Sequence, residues 1–133
     1  MYRTDVEGGC PVWIEEIAKA DTPWRDVDEI AAVLGKHLLR HGGAAFIGVF
    51  DLYGLNLRLG EALPAAMQDA KAFLFCPGAN LLNPALIARC PCVIGVADMG
   101  NRFVISFLDA SLVATSFFSP AGPLTQWVDN LRS

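Results

Sequence analysis

Residues 73–97, FLFCPGANLLNPALIARCPCVIGVA, carry three of the four cysteines and read as strand, short helix, strand. The run at 72–76 is apolar, aromatic-rich and short, which suits a buried strand better than a helix. Pro77-Gly78 ends it, because proline has no ladder donor and glycine tolerates a positive φ. Asn83-Pro84 is a helix start, with an N-cap acceptor and a φ preset for the first helical position. Leu86, Ile87 and Cys90 then share one side of a short helix that Pro91 stops. Residues 92–97 form a second apolar strand with Cys92, Ile94 and Val96 on one face. Strands this apolar belong inside, and the rest of the chain reads as their scaffold and cover.

A chain of 133 residues is expected to be a single domain, residues 1–133, able to bury a core without disulfide staples. Its apolar fraction is 53% and its charged fraction 18%, against typical values of about 45–50% and about 25%. The surplus calls for a self-associating face or a small-ligand cavity. No run reaches the ~18–20 apolar residues of a membrane span. The first nine residues lack a signal-peptide apolar region, so the expected location is the cytoplasm, with cysteines as thiols. A nucleic-acid groove needs clustered cations, whereas Arg25, Lys36, Arg40, Arg58, Lys71, Arg89 and Arg102 are scattered in a chain of net charge −4. Neither a membrane nor nucleic acid is an expected partner.

Outward from the central segment, residues 1–11 read as a mobile lead-in containing Cys10. Residues 12–19 favour a strand, since β-branched and aromatic residues crowd its front half. Thr22-Pro23 and Asp26 through Glu29 both offer helix starts, the second with a capping-box pattern and acids in the first turn. Apolar residues at 27, 30, 31, 34 and 38 give that helix one buried stripe. Residues 44–52 form a strand that is apolar on both faces until Asp51, which places it away from a solvated sheet surface. The alternation of Leu55, Leu57 and Leu59 reads as a half-exposed strand or flap, and 63–70 as a short helix opening at Pro64. Asp98 to Asn101 is a hairpin turn, and 102–108 the returning strand with Phe103, Ile105 and Phe107 on one face. A last helix begins at Ser119-Pro120 or Gly122-Pro123 and docks through Leu124, Trp127, Val128 and Leu131. The predicted order is β-α-β-(α)-β-α-β-β-α. This is an α+β fold with a largely antiparallel sheet of about five strands and helices on one face. A symmetric copy is the simplest cover for the second face, which predicts a homodimer.

Three features carry a resemblance: Asn83-Pro84 followed after six residues by Pro91-Cys92-Val93-Ile94, Cys76-Pro77 after a strand, and Gly43 through Asp51 in the pattern G-x-x-F-x-x-x-x-D. Over residues 42–108 the chain resembles the bacterial domain-of-unknown-function family 302. The resemblance implies a small β-α-β4-α fold, often dimeric, with no established activity.

The cysteines are the main chemical signal. If the strands at 72–76 and 92–97 are antiparallel neighbours, Cys76 and Cys92 meet at one rim, with Cys90 two residues away. Three thiolates there suit a soft metal ion such as zinc or copper(I), or a sulfur species. Cys10, a histidine or a partner copy would complete the donor set. A thiol with a lowered pKa would instead serve as a nucleophile. The third alternative is inert thiols buried as small hydrophobes. His37 and His41, four apart, read as helix-end groups facing the dipole rather than a metal pair. Asp51 is a strand-end acid, either a general base or a turn acceptor. The three tryptophans read as core or interface residues.

Overall fold

In an antiparallel sheet, residues directly opposite one another share a face, so alternating apolar positions on neighbouring strands merge into one dry surface. A computed structural model, describing residues 2–6, 9–41, 45–76, 92–108 and 123–132, shows how this chain uses that rule. The strands are β1 (Tyr2–Val6), β2 (Cys10–Ala18), β3 (Ala45–Asp51), β4 (Asp69–Cys76), β5 (Cys92–Asp98) and β6 (Arg102–Leu108). The helices are α1 (Val27–His41), α2 (Leu52–Arg58) and α3 (Pro123–Asp129). The six strands form one sheet in the order β1-β2-β6-β5-β4-β3, and every neighbouring pair is antiparallel.

The central register pairs Phe75 with Cys92, Phe73 with Ile94, Ile94 with Phe107, Val96 with Ile105, and Ile105 with Glu15. Phe73, Phe75, Cys92, Ile94, Val96, Phe103, Ile105, Phe107 and Ile17 therefore make one face, and all are buried. Val27, Ile30, Ala31, Leu34 and Leu38 of α1 close over it, as the helical stripe predicts. Trp127 and Val128 of α3 join the same core, with Leu131 just beyond. The start of α1 is fixed by Asp26, whose Oδ1 accepts from Glu29 N at 2.8 Å, while Glu29 Oε2 accepts from Arg25 N at 2.8 Å. This reciprocal cap satisfies donors that a helix start would otherwise expose.

The β5–β6 hairpin turns at Gly100, φ 90°, with Asp98 Oδ1 accepting from Gly100 N at 2.9 Å. Asp98 is also held by Lys19 Nζ at 2.8 Å, and that ammonium lies 5.2 Å from the centre of the Phe103 ring. The same turn anchors two neighbouring segments, since Asp98 O accepts from Gln68 N and Asn101 O from Lys19 N.

The sheet departs from expectation at three places. Tyr2–Val6, expected within a lead-in, pairs along β2 as a sixth strand. Leu52–Arg58, expected as a strand or flap, is a helix because Asp51 Oδ1 accepts from Gly54 N at 2.9 Å and caps it. Gly54 leaves room for that carboxylate, which an added Cβ would strike. The short helix expected at 63–70 is absent: 61–68 is irregular, with a turn at 65–66, and β4 already begins at Asp69. So short a stretch is too brief to offset helix nucleation once Gln68 is tied to the hairpin. The helix predicted after Asn83 and the apolar run at 111–118 lie outside the described residues.

Leu34 and Leu39 share α1 but not its environment, one fully buried and the other 74% exposed. Leu34→Ala is expected to cost about 2–5 kcal/mol of stability through cavity formation. Leu39→Ala should stay within roughly 0.5 kcal/mol in the monomer. Urea unfolding of the two variants at low protein concentration checks this contrast.

Candidate functional site

The register decides where the thiols meet. Cys76 ends β4 and Cys92 begins β5, and the partner of Cys92 is Phe75, the neighbour of Cys76. The two cysteines therefore stand at one end of adjacent strands. Alternation sends their side chains to opposite faces. Cys92 points into the helix-covered core and is 7% exposed, whereas Cys76 is half-buried on the other side. Cys10 starts β2, whose Val12 pairs with Leu108 at the same end of the sheet. With β6 between β2 and β5, the backbone of Cys10 is about 10 Å from that of Cys92 at two strand spacings. The sequence put Cys10 in a lead-in; the pairing of β1 with β2 gives it a fixed strand position. Cys90 lies outside the described residues.

The sheet end thus collects thiols without placing Cys76 and Cys92 on a common face. Among the described residues, no group of three or more His, Cys, Asp and Glu is arranged to hold a metal ion. The chemistry available to the two thiols differs. Cys92 is packed as a small hydrophobe among Phe75, Ile94 and Phe107. Cys76 sits where a reagent or ligand from the opposite face reaches it more readily. Asp51, weighed as a general base, spends its carboxylate on the cap of α2.

A second locus lies on the β3 side. Asp28, Ala31, Ala32, Gly35, Lys36 and Leu39 of α1 face Phe46 and Val49 of β3 across a groove of about 320 Å³. Ala31, Ala32 and Gly35 are the small residues of its helical wall, and Gly35 faces the Phe73 ring, which an added Cβ would meet at an ordinary contact distance of 3.6 Å. Phe46 stacks at a tilt on Phe73, 5.1 Å between centres, so the groove floor continues into the core. One wall is charged: Asp28 receives Lys71 Nζ at 2.6 Å, a contact that raises the Lys71 pKa. The rest is apolar. A bulge between Phe46 and Gly48 leaves Ile47 without a β4 partner, and Ile47 is 54% exposed. Phe46, Val49, Phe50 and Leu52 are exposed alongside it. The sequence showed this strand apolar on both faces and implied burial; the structure makes it an edge. Its position in the strand order was the missing fact.

One titrating group ties the chain after α3 to the sheet, and another joins α1 to α3. Glu15 is buried on the core face of β2 beside the guanidinium of Arg132. Burial pushes its carboxyl up, but neighbouring donors and charge, the Arg132 guanidinium among them, outweigh this and lower its pKa. Trp13, two residues earlier, keeps a buried Nε1 with no acceptor among the described residues. His37 of α1 stacks on Trp127 of α3, 5.9 Å between centres and 11° between planes. Burial, then the charge of Arg40, lowers its pKa below the ordinary 6.5.

The neutral imidazole is thus favoured in the folded state, so the unfolded chain binds more protons as pH falls. The stability this gives is complete above about pH 6.5 and is lost as pH drops through the lowered value. His37→Gln should flatten the pH 5–7 limb of a urea midpoint profile and leave the limb near pH 4, where Glu15 contributes, in place. For the thiols, peptide mapping after brief alkylation of the native protein should find Cys76 labelled well before Cys92. Equal labelling would contradict the assignment of the two side chains to different faces.

Comparison with curated proteins and with solved structures gives no match for this chain. The resemblance to family 302 over residues 42–108 is not confirmed, because the family found is a different one. The match runs over residues 1–133, so the chain belongs to the Family of unknown function (DUF6858).

Proposed function

We propose that this chain is a self-associating binding module that works as a homodimer. The observation that carries the reading is the exposed apolar surface on the β3 side of the sheet. Leu39, Phe46, Ile47, Val49 and Phe50 are between 43% and 74% exposed. Together they leave on the order of 500 Å² of side chain in water, taking roughly 200 Å² for each fully open chain of this size. Leu52, Leu57 and Leu59 of the following segment are exposed as well and extend the area. A standard interface takes about 800 Å² from each partner, so a patch of this size is matched to one more protein surface. The sequence-wide apolar surplus has the same explanation. In light scattering or sedimentation, the protein is expected to run at twice the chain mass at micromolar concentration. A strictly monomeric protein up to the millimolar range would remove this function.

A second reading keeps the thiols as ligands, supported by the gathering of Cys76, Cys92 and Cys10 at one sheet end. With Cys90 they would offer sulfur donors to zinc, copper(I) or a sulfur species. A partner copy is one source of a missing donor. A reducing compartment such as the cytoplasm would keep these groups as thiols. The test is elemental analysis of protein purified anaerobically. Bound metal that Cys76→Ser and Cys92→Ser each reduce more than Cys10→Ser supports this reading. Equal effects from all three count against a localised site, and a single fast thiol in metal-free protein points to nucleophilic chemistry instead.

A further inference from the structure

Resting on the homodimer reading, we infer that the two copies join by their β3 edges, antiparallel across a two-fold axis. The six-stranded sheet of each copy then runs on into that of the other.

The two sheet edges are built differently. β1 carries Arg3 and Asp5, paired at 3.7 Å, with Thr4 between them. Charges on an edge strand discourage another strand from adding there. β3, AFIGVFD, has no proline or cation and carries its single charge at its last residue. Among the described residues nothing pairs with its outer side. An edge of this kind offers a row of backbone donors and acceptors together with apolar side chains.

The distribution of those side chains selects the occupant. Phe46 and Val49 pair opposite Phe75 and Phe73 and so lie on the helix-covered face, whereas Phe50 pairs opposite Ala72 and lies on the other. A small molecule in the α1–β3 groove would cover Phe46, Val49 and Leu39 and leave Phe50 and Ile47 wet. A protein stacked face-on would cover one side only. A strand that continues the sheet flanks both faces at once. An antiparallel copy of β3 also meets the closure condition of a two-fold interface, in which the same patch serves both partners. Leu39 lines the β3 side of α1, so continuation of the sheet brings the two α1 helices side by side and covers it.

The test combines oligomeric state with amide hydrogen exchange on the intact chain. At a concentration where the dimer is populated, amides in residues 45–51 should exchange more slowly than in dilute protein, while those of β1 are unchanged. Ile47→Lys should raise the dissociation constant by about 100-fold or more, because an unpaired ammonium would be buried at the junction. Its side chain is exposed in the single chain, so the variant should keep the native circular dichroism. Thr4→Lys, at the other edge, should leave the dissociation constant within about 3-fold. A dimer whose β3 amides are unprotected, or one that Ile47→Lys leaves intact, overturns edge pairing while the homodimer stands. Protein that never dimerises overturns both. Slowed exchange confined to α1 would mark a face-on or groove occupant and would also overturn the edge-pairing inference.

Discussion

The pairing of β4 with β5, phased so that Phe73 faces Ile94 and Phe75 faces Cys92, is the constraint on which this fold depends. A slip of one residue would carry the whole aromatic set to the opposite face and strip α1 of its seat. Phe73 is the pivot. It lies under Gly35 of α1, contacts Phe46 at the edge and sits near Phe75 at 6.0 Å. The contact of Phe46 with Phe73 joins the floor of the groove to the core beside it.

Polar anchoring follows from that arrangement. Lys71 alternates onto the helix face of β4 and reaches Asp28 in the first turn of α1, while Lys19 clamps the hairpin turn through Asp98. Thr22 Oγ1 donates to Leu131 O at 2.5 Å, joining the loop before α1 to the end of the chain. Each of these contacts links segments far apart in sequence. They add register more than energy, since partly exposed ion pairs contribute little on their own.

Much of this architecture was legible because local signals and tertiary needs agree. The α1 stripe at 27, 30, 31, 34 and 38, its Asp26 cap, the positive-φ glycine at 100 and the alternating strands at 92–97 and 102–108 are all read directly from residue spacing. The segment after Asp51 was not. Its Leu55, Leu57, Leu59 alternation mimics a strand, and only the carboxylate folding back onto Gly54 decides for a helix. β1 was hidden because polar edge strands carry little periodic signal. The cysteine rim was half legible. The sequence could place Cys76 and Cys92 at one end of neighbouring strands, but their opposite facing depends on a register that puts Phe75, not Cys76, across from Cys92.

The junction of β2 with β6 matches Val12 to Leu108 and Ala18 to Arg102, so the second strand made is completed by the last one. During synthesis β2 leaves the ribosome with β1 beside it but long before β6 exists, while β4, β5 and β6 emerge closer together. Contacts this remote close slowly and leave one edge of the β1–β2 pair waiting. The nascent chain therefore carries the β6-facing edge of β2, with Val12, Trp13, Ile14 and Ile17, without its core neighbour until β6 has been made, a window in which an open strand edge is exposed to aggregation.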